Sequence, residues 1–67
     1  MENNVYVIRK DGEYLVAKPY SDTRFLRWSG SAYDGIRIHS RNKAKALANI
    51  VGGMVFKFNP LTGTVSV

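Results

Sequence analysis

The chain contains no cysteine, so disulfides cannot staple it and no thiolate is available to hold zinc. A cysteine-free domain suits a reducing cytosol. Acid is scarce as well. Glu2, Asp11, Glu13, Asp22 and Asp34 are the only carboxylates, and all fall in termini, turns or strand edges. No two are spaced to share a buried site, so acid–base work by paired carboxylates has no candidates. His39 is the single histidine, and no serine stands in a nucleophile elbow beside it. The glycines are scattered through turns and make no phosphate-cradling loop. The expectation is a non-enzyme with no catalytic residue, no metal site and no cofactor.

Long apolar runs are missing too. No window approaches the roughly 20 apolar residues of a membrane span, and Met1 to Lys10 lacks the apolar stretch of a signal peptide. A soluble, cytoplasmic protein with no membrane partner is expected. At 67 residues, the chain lies near the lower size limit for independent folding, so residues 1–67 read as one domain. Its 45% hydrophobic content is enough for a compact core and argues against disorder.

What the chain does have is positive charge, concentrated in one segment. Lys18, Arg24, Arg27, Arg37, Arg41, Lys43 and Lys45 are opposed there only by Asp22 and Asp34. Seven minus two is +5, the formal charge of the whole chain. Elsewhere Arg9, Lys10 and Lys57 are balanced by Glu2, Asp11 and Glu13. Self-repulsion slightly opposes compaction, so a concentrated excess points to an anionic partner.

Local signals predict strands first and a helix late. Val5 to Ile8 and Tyr14 to Ala17 flank Asp11-Gly12, a strong hairpin signal because a type I′ turn needs positive φ. Lys18-Pro19 ends the second strand. Arg24 to Trp28 reads as a third strand, with Phe25 and Arg27 on one face and Leu26 and Trp28 on the other. Gly35 to His39 reads as a short fourth. Ser40 fits an N-cap, and Ala44, Leu47, Ala48 and Val51 recur at i, i+3, i+4, i+7, the stripe of an amphipathic helix. Gly52-Gly53 stops it. Met54 to Phe58 and Thr64 to Val67 are two more strands, joined through Asn59-Pro60-Leu61-Thr62-Gly63. The fold class is α+β: an antiparallel sheet of about five to six short strands, order ββββαββ, with one helix from about Arg41 to Val51 on one face. The expected core is Val5, Val7, Leu15, Leu26, Ile36, Ile38, Leu47, Val51, Val55 and Phe58.

Two clusters are candidate binding sites. Ser40, Arg41, Lys43 and Lys45 begin the helix without a carboxylate, although a helix start carries about half a positive charge and favours acids. An anion would reverse that penalty, since free N–H groups, the dipole and the cations converge on one phosphate-sized site. His39 beside the cap is either a surface residue or a phosphate contact. The plainer reading is solvated charges on a tolerant helix. Arg24, Arg27 and Arg37 would extend the patch. Tyr20, Trp28 and Tyr33 are candidate aromatic anchors, since basic residues interleaved with rings can track a phosphate backbone and stack on bases. Core packing of Trp28, or cation–π pairing within the protein, explains the same mixture.

The run Tyr6-Val7-Ile8-Arg9-Lys10-Asp11-Gly12-Glu13-Tyr14-Leu15 resembles the start of many small phage and prophage proteins. So does Ser40-Arg41-Asn42-Lys43-Ala44-Lys45-Ala46-Leu47-Ala48, closing with Gly52-Gly53-Met54-Val55. The resemblance implies a small accessory protein acting in a bacterial host, and phage proteins of this size include inhibitors of host defence, among them anti-CRISPR proteins. Residues 5 to 48 are also similar, in element order and charge, to the arm-type DNA-binding domain of tyrosine integrases, which lays a three-stranded sheet in the major groove. This chain departs from that pattern by a strand before the helix and a hairpin after it. The leading expectation is a non-enzymatic accessory protein that binds nucleic acid, DNA or RNA, through a basic face. The alternative is a protein-binding inhibitor or modulator of a host protein or nucleoprotein complex. A third reading is a structural piece of a virion or oligomer. Thr64 to Val67 carries no charge to blunt its edge and could pair with its mate in a homodimer.

Overall fold

The computed structural model describes residues 5–16 and 26–66. Five strands form one antiparallel sheet: β1 (Val5–Lys10), β2 (Glu13–Leu15), β3 (Trp28–Ser29), β4 (Met54–Asn59) and β5 (Thr64–Ser66), in the order β3-β2-β1-β4-β5. The helix α1 (Arg41–Val51) packs on one face, and a 3-10 turn (Ala32–Asp34) precedes it. The fold is α+β.

Local chemistry explains the boundaries. Asp11 (φ 53°) and Gly12 (φ 81°) both take the left-handed conformation that a type I′ hairpin requires. Ser40 is extended, and its Oγ accepts the Lys43 N–H at 3.4 Å, so it caps α1 as expected. Gly52 closes the helix in the left-handed region at φ 77°. Gly53 then lets β4 enter the sheet at close quarters. A Cβ there would stand 2.7 Å from Ile8 Cγ2 and 3.1 Å from the Arg9 carbonyl oxygen.

Strand β1 is the centre. It pairs with β4 from Val5↔Phe58 to Arg9↔Met54, and with β2 at Arg9↔Tyr14 and Lys10↔Glu13. Beyond that point its other edge is taken by residue 38. Tyr6 N–H donates to the Ile38 carbonyl at 2.7 Å, and Ile38 N–H donates back at 3.0 Å. The fourth strand expected over Gly35 to His39 is therefore a single bridge, because only that stretch of β1 is left open to it. The third strand is confined, within the described residues, to Trp28–Ser29; Arg24 and Phe25 lie outside them.

The core differs from the single-faced expectation. Both faces of the sheet are apolar. Ile8, Leu15, Ile38, Ala44, Ala48 and Val51 are buried between sheet and helix, with Tyr6, Leu26, Trp28, Ile36, Leu47 and Val55 packed around them. Val5, Val7, Tyr14, Ala32 and Phe58 form a second cluster, joined by Phe56 and Val65. The pairings Val5↔Phe58 and Val7↔Phe56 put these residues on the face opposite Ile8 and Val55. Leu26, Ile36, Leu47 and Val55, expected as core, are only partly buried, while Ile8 and Tyr14, not expected, are buried. A central strand covered on both sides reads as a continuous apolar run, so Val5 to Ile8 gives no alternation from which to choose a face.

Candidate nucleic-acid interface

Helical spacing divides the basic residues of α1 between two flanks. Ala44, Ala48 and Val51 face the sheet. Arg41 and Lys45, four residues apart, share one flank, and Lys43 occupies the other with Ala46, Leu47 and Ile50. All three cations are exposed, and no acidic residue lies in the first turn.

On the first flank, Arg41 meets a strand. Together with Tyr6, Val55 and Lys57 it lines a hollow of ≈ 210 Å³. The same Arg41 borders a groove of ≈ 350 Å³ with Lys45, Asn49 and the start of β4. Lys57 reaches this place because β4 alternates. Met54, Phe56 and Phe58 face away from the helix, which leaves Val55 and Lys57 beneath it. On the second flank, Arg37, His39 and Lys43 border a groove of ≈ 620 Å³ floored by Ile38, Ala46, Leu47 and Ile50. Ser40 lies at its end and is occupied by the cap bond to Lys43.

The described carboxylates lie elsewhere. Asp11 and Glu13 are at the β1–β2 turn, and between them and the helix stands Lys10, whose Nζ donates to the Val51 carbonyl at 3.3 Å. That contact locates the turn at the helix C-terminus and satisfies one of the carbonyls left free there. Asp34 Oδ2 accepts from Ser29 Oγ at 2.9 Å. Cations thus crowd the positive end of the helix dipole, and two of the acids lie at its negative end. At the helix start the cations reinforce the dipole, whereas at its end Lys10 compensates it.

Some expected site residues fall away from this region. Arg27 is exposed between Leu26 and Trp28, which both pack on the helix-side cluster, so alternation turns it to the opposite face at the sheet edge. Trp28 is half-buried and borders a hollow with Lys10, Asp11 and Glu13, the acidic end of the molecule. Tyr33 stands edge-on to Phe58, with ring centroids 5.2 Å apart at 87°, on the far face. Trp28 and Tyr33 therefore lie away from the hollows lined by the helix cations. Arg24 and Tyr20 lie outside the described residues. Lys57 and Tyr6 are the two members that sequence reasoning missed. The signal for Lys57 was a lone charge in an otherwise apolar strand joined to the helix by only Gly52-Gly53. Among the described residues no cluster of His, Cys, Asp or Glu could hold a metal ion, and no helix is long and apolar enough to cross a membrane. No protein-family model matches this chain, and neither a curated protein nor a solved structure matches it.

Proposed function

We propose that this is a small non-enzymatic accessory protein that binds the backbone of a nucleic acid through the helix side of the molecule. The observation that carries the reading is a set of five exposed cations from three separate elements, spread over both flanks of α1. Arg37 comes from the segment before the helix, Arg41, Lys43 and Lys45 from α1, and Lys57 from β4. Among the described residues, none that line these hollows is a carboxylate. Such a surface suits phosphate contacts, which position a protein on a nucleic acid and carry no sequence information directly. The accessory role, in the cytoplasm of a bacterial host, rests on the resemblance of the hairpin and helix segments to small phage and prophage proteins.

Titration of a labelled duplex and a labelled single strand across a salt series tests this. Each phosphate contact contributes about 0.9 to the log–log salt slope for a duplex and about 0.7 for a single strand. Replacing Arg41 and Lys57 together with Glu is expected to weaken binding of every sequence about equally and to flatten the slope. Arg27→Glu, at the distant sheet edge, is expected to change neither. The reading fails if wild type ignores both nucleic acids at low salt, or if the double variant binds as wild type does.

A further inference from the structure

The helix carries an apolar stripe that the sheet does not cover. Ala46, Leu47 and Ile50 follow Lys43 at i+3, i+4 and i+7, so they run down one flank, with Leu47 at the margin of the core. Ala46 is exposed, Leu47 is partly buried and Ile50 is 61% exposed. With Ile38 they floor the ≈ 620 Å³ groove, whose polar border is Arg37, His39 and Lys43. We propose that this groove docks a short acidic amphipathic peptide segment of a partner protein. A bulky apolar side chain of the segment sits on Leu47 and Ile50, and a carboxylate meets Arg37 and Lys43.

Charge and shape both select that occupant. The border is cationic and, among the described residues, the groove lining holds no carboxylate, so a basic segment is repelled and an acidic one attracted. Nucleic acid fits the border but not the floor. Bases bind single-strand sites by stacking on aromatic rings, and every apolar residue of this floor is aliphatic. An aliphatic floor with a charged border is instead the anatomy of a peptide-binding groove, where energy concentrates in a central apolar anchor. The stripe from Lys43 to Ile50 extends over about 10 Å of helix, which matches about two turns of a docked helix or three residues of an extended strand. The apolar floor is distinct from the Arg41–Lys57 flank, and only the border cations Arg37 and Lys43 are shared with the proposed nucleic-acid surface.

Selection of displayed random peptides of about 12 residues against wild type tests the proposal, a length that exceeds the groove. Enriched sequences are expected to combine Asp or Glu with Leu, Ile, Phe or Trp. The best of them, made synthetically, is expected to bind Ile50→Ser about tenfold more weakly, since an anchor contact is lost. Binding of a labelled duplex should be unchanged in that variant, which alters no charge. Ala46→Arg, a second exposed substitution, blocks the groove and keeps the test alive should Ile50→Ser fold poorly; it is expected to abolish peptide binding. The proposal is overturned if no peptide is enriched or if enriched peptides lack either a carboxylate or a bulky apolar residue. Equal affinity for both variants and wild type also overturns it. Parallel loss of duplex and peptide binding in Ile50→Ser would assign the groove to nucleic acid and overturn it too. Absence of duplex binding in wild type defeats the nucleic-acid reading alone and leaves the peptide measurement intact.

Discussion

The two faces of the sheet do different work. Under the helix, small residues fill the contact: Ala44 and Ala48 are buried against Ile8 and Leu15, so α1 lies close to the strands. On the opposite face, rings fill it: Tyr14, Phe56 and Phe58 pack with Val5, Val7 and Val65, and Ala32 and Tyr33 of the 3-10 turn lie against them. A helix is a broad cover and needs little side-chain volume beneath it. A three-residue turn is a narrow one, so the sheet itself must supply bulk. The consequence reaches function. Over the helix-covered face there is an outer surface with no packing duty, and the exposed cations of α1 occupy it. On the ring face Arg9 is the counterexample: its guanidinium lies 5.7 Å from the Tyr14 ring centroid and 5.9 Å from that of Phe56, covering the rings. The exposed cations of α1 collect where an additional layer has already finished the core.

The sharpest way to break this comparison is to empty the ring face. Phe58 is 1% exposed, so Phe58→Ala is expected to cost about 3–5 kcal/mol. A domain of this length has only about 3–10 kcal/mol in total, so chemical denaturation should find much of the population unfolded. A cost below about 1 kcal/mol, the range of a surface change, would mean that the ring face is not a second core.

A smaller effect is expected where the helix returns to the sheet. Gly53→Ala must push its new methyl against Ile8 Cγ2 and the Arg9 carbonyl, at an expected cost of about 1–3 kcal/mol. Gly30→Ala meets nothing within 4 Å and serves as the control, expected within about 0.5 kcal/mol of wild type. Equal melting temperatures for the two variants would remove close helix–sheet approach from the account.

The smallest effect has the opposite sign. Arg41→Glu places an acid at the helix start and should raise stability by about 0.3–1 kcal/mol at low salt, less at high salt. Its duplex affinity should fall at the same time. Stability and binding moving in opposite directions would mark Arg41 as a residue kept for a ligand at some cost to the fold. A loss of stability instead would show that its place beside Tyr6, Val55 and Lys57 supports the fold.

Local signals were legible and long-range ones were not. The helix runs over the residues that its stripe predicts, because Ser40 and Gly52 act within a few residues of themselves. The Asp11-Gly12 hairpin is legible for the same reason, since backbone sterics at two residues decide it. Gly35 to His39 has the composition of a strand, but whether it pairs depends on how much of β1 is open, which β2 decides. The candidate site divides in the same way. Arg41, Lys43 and Lys45 are near one another by helical geometry alone, whereas Lys57 joins Arg41, and Arg27 and Trp28 leave, only through strand pairing.

The amino-acid order by itself determined the helix and its caps, the tight hairpin turn, the α+β class and the placing of the excess charge before and within the helix start. Each of these rests on interactions spanning a few residues or on composition. Only the tertiary structure decided that the sheet is apolar on both faces, that its order is β3-β2-β1-β4-β5, and that Lys57 stands beside Arg41 while Arg37 and Lys43 border the other flank of the helix. The physical reason is register. A side chain's face in a strand reverses with a shift of one residue, and the partner that holds the register, Phe58 for Val5 or Val55 for Ile8, lies far along the chain.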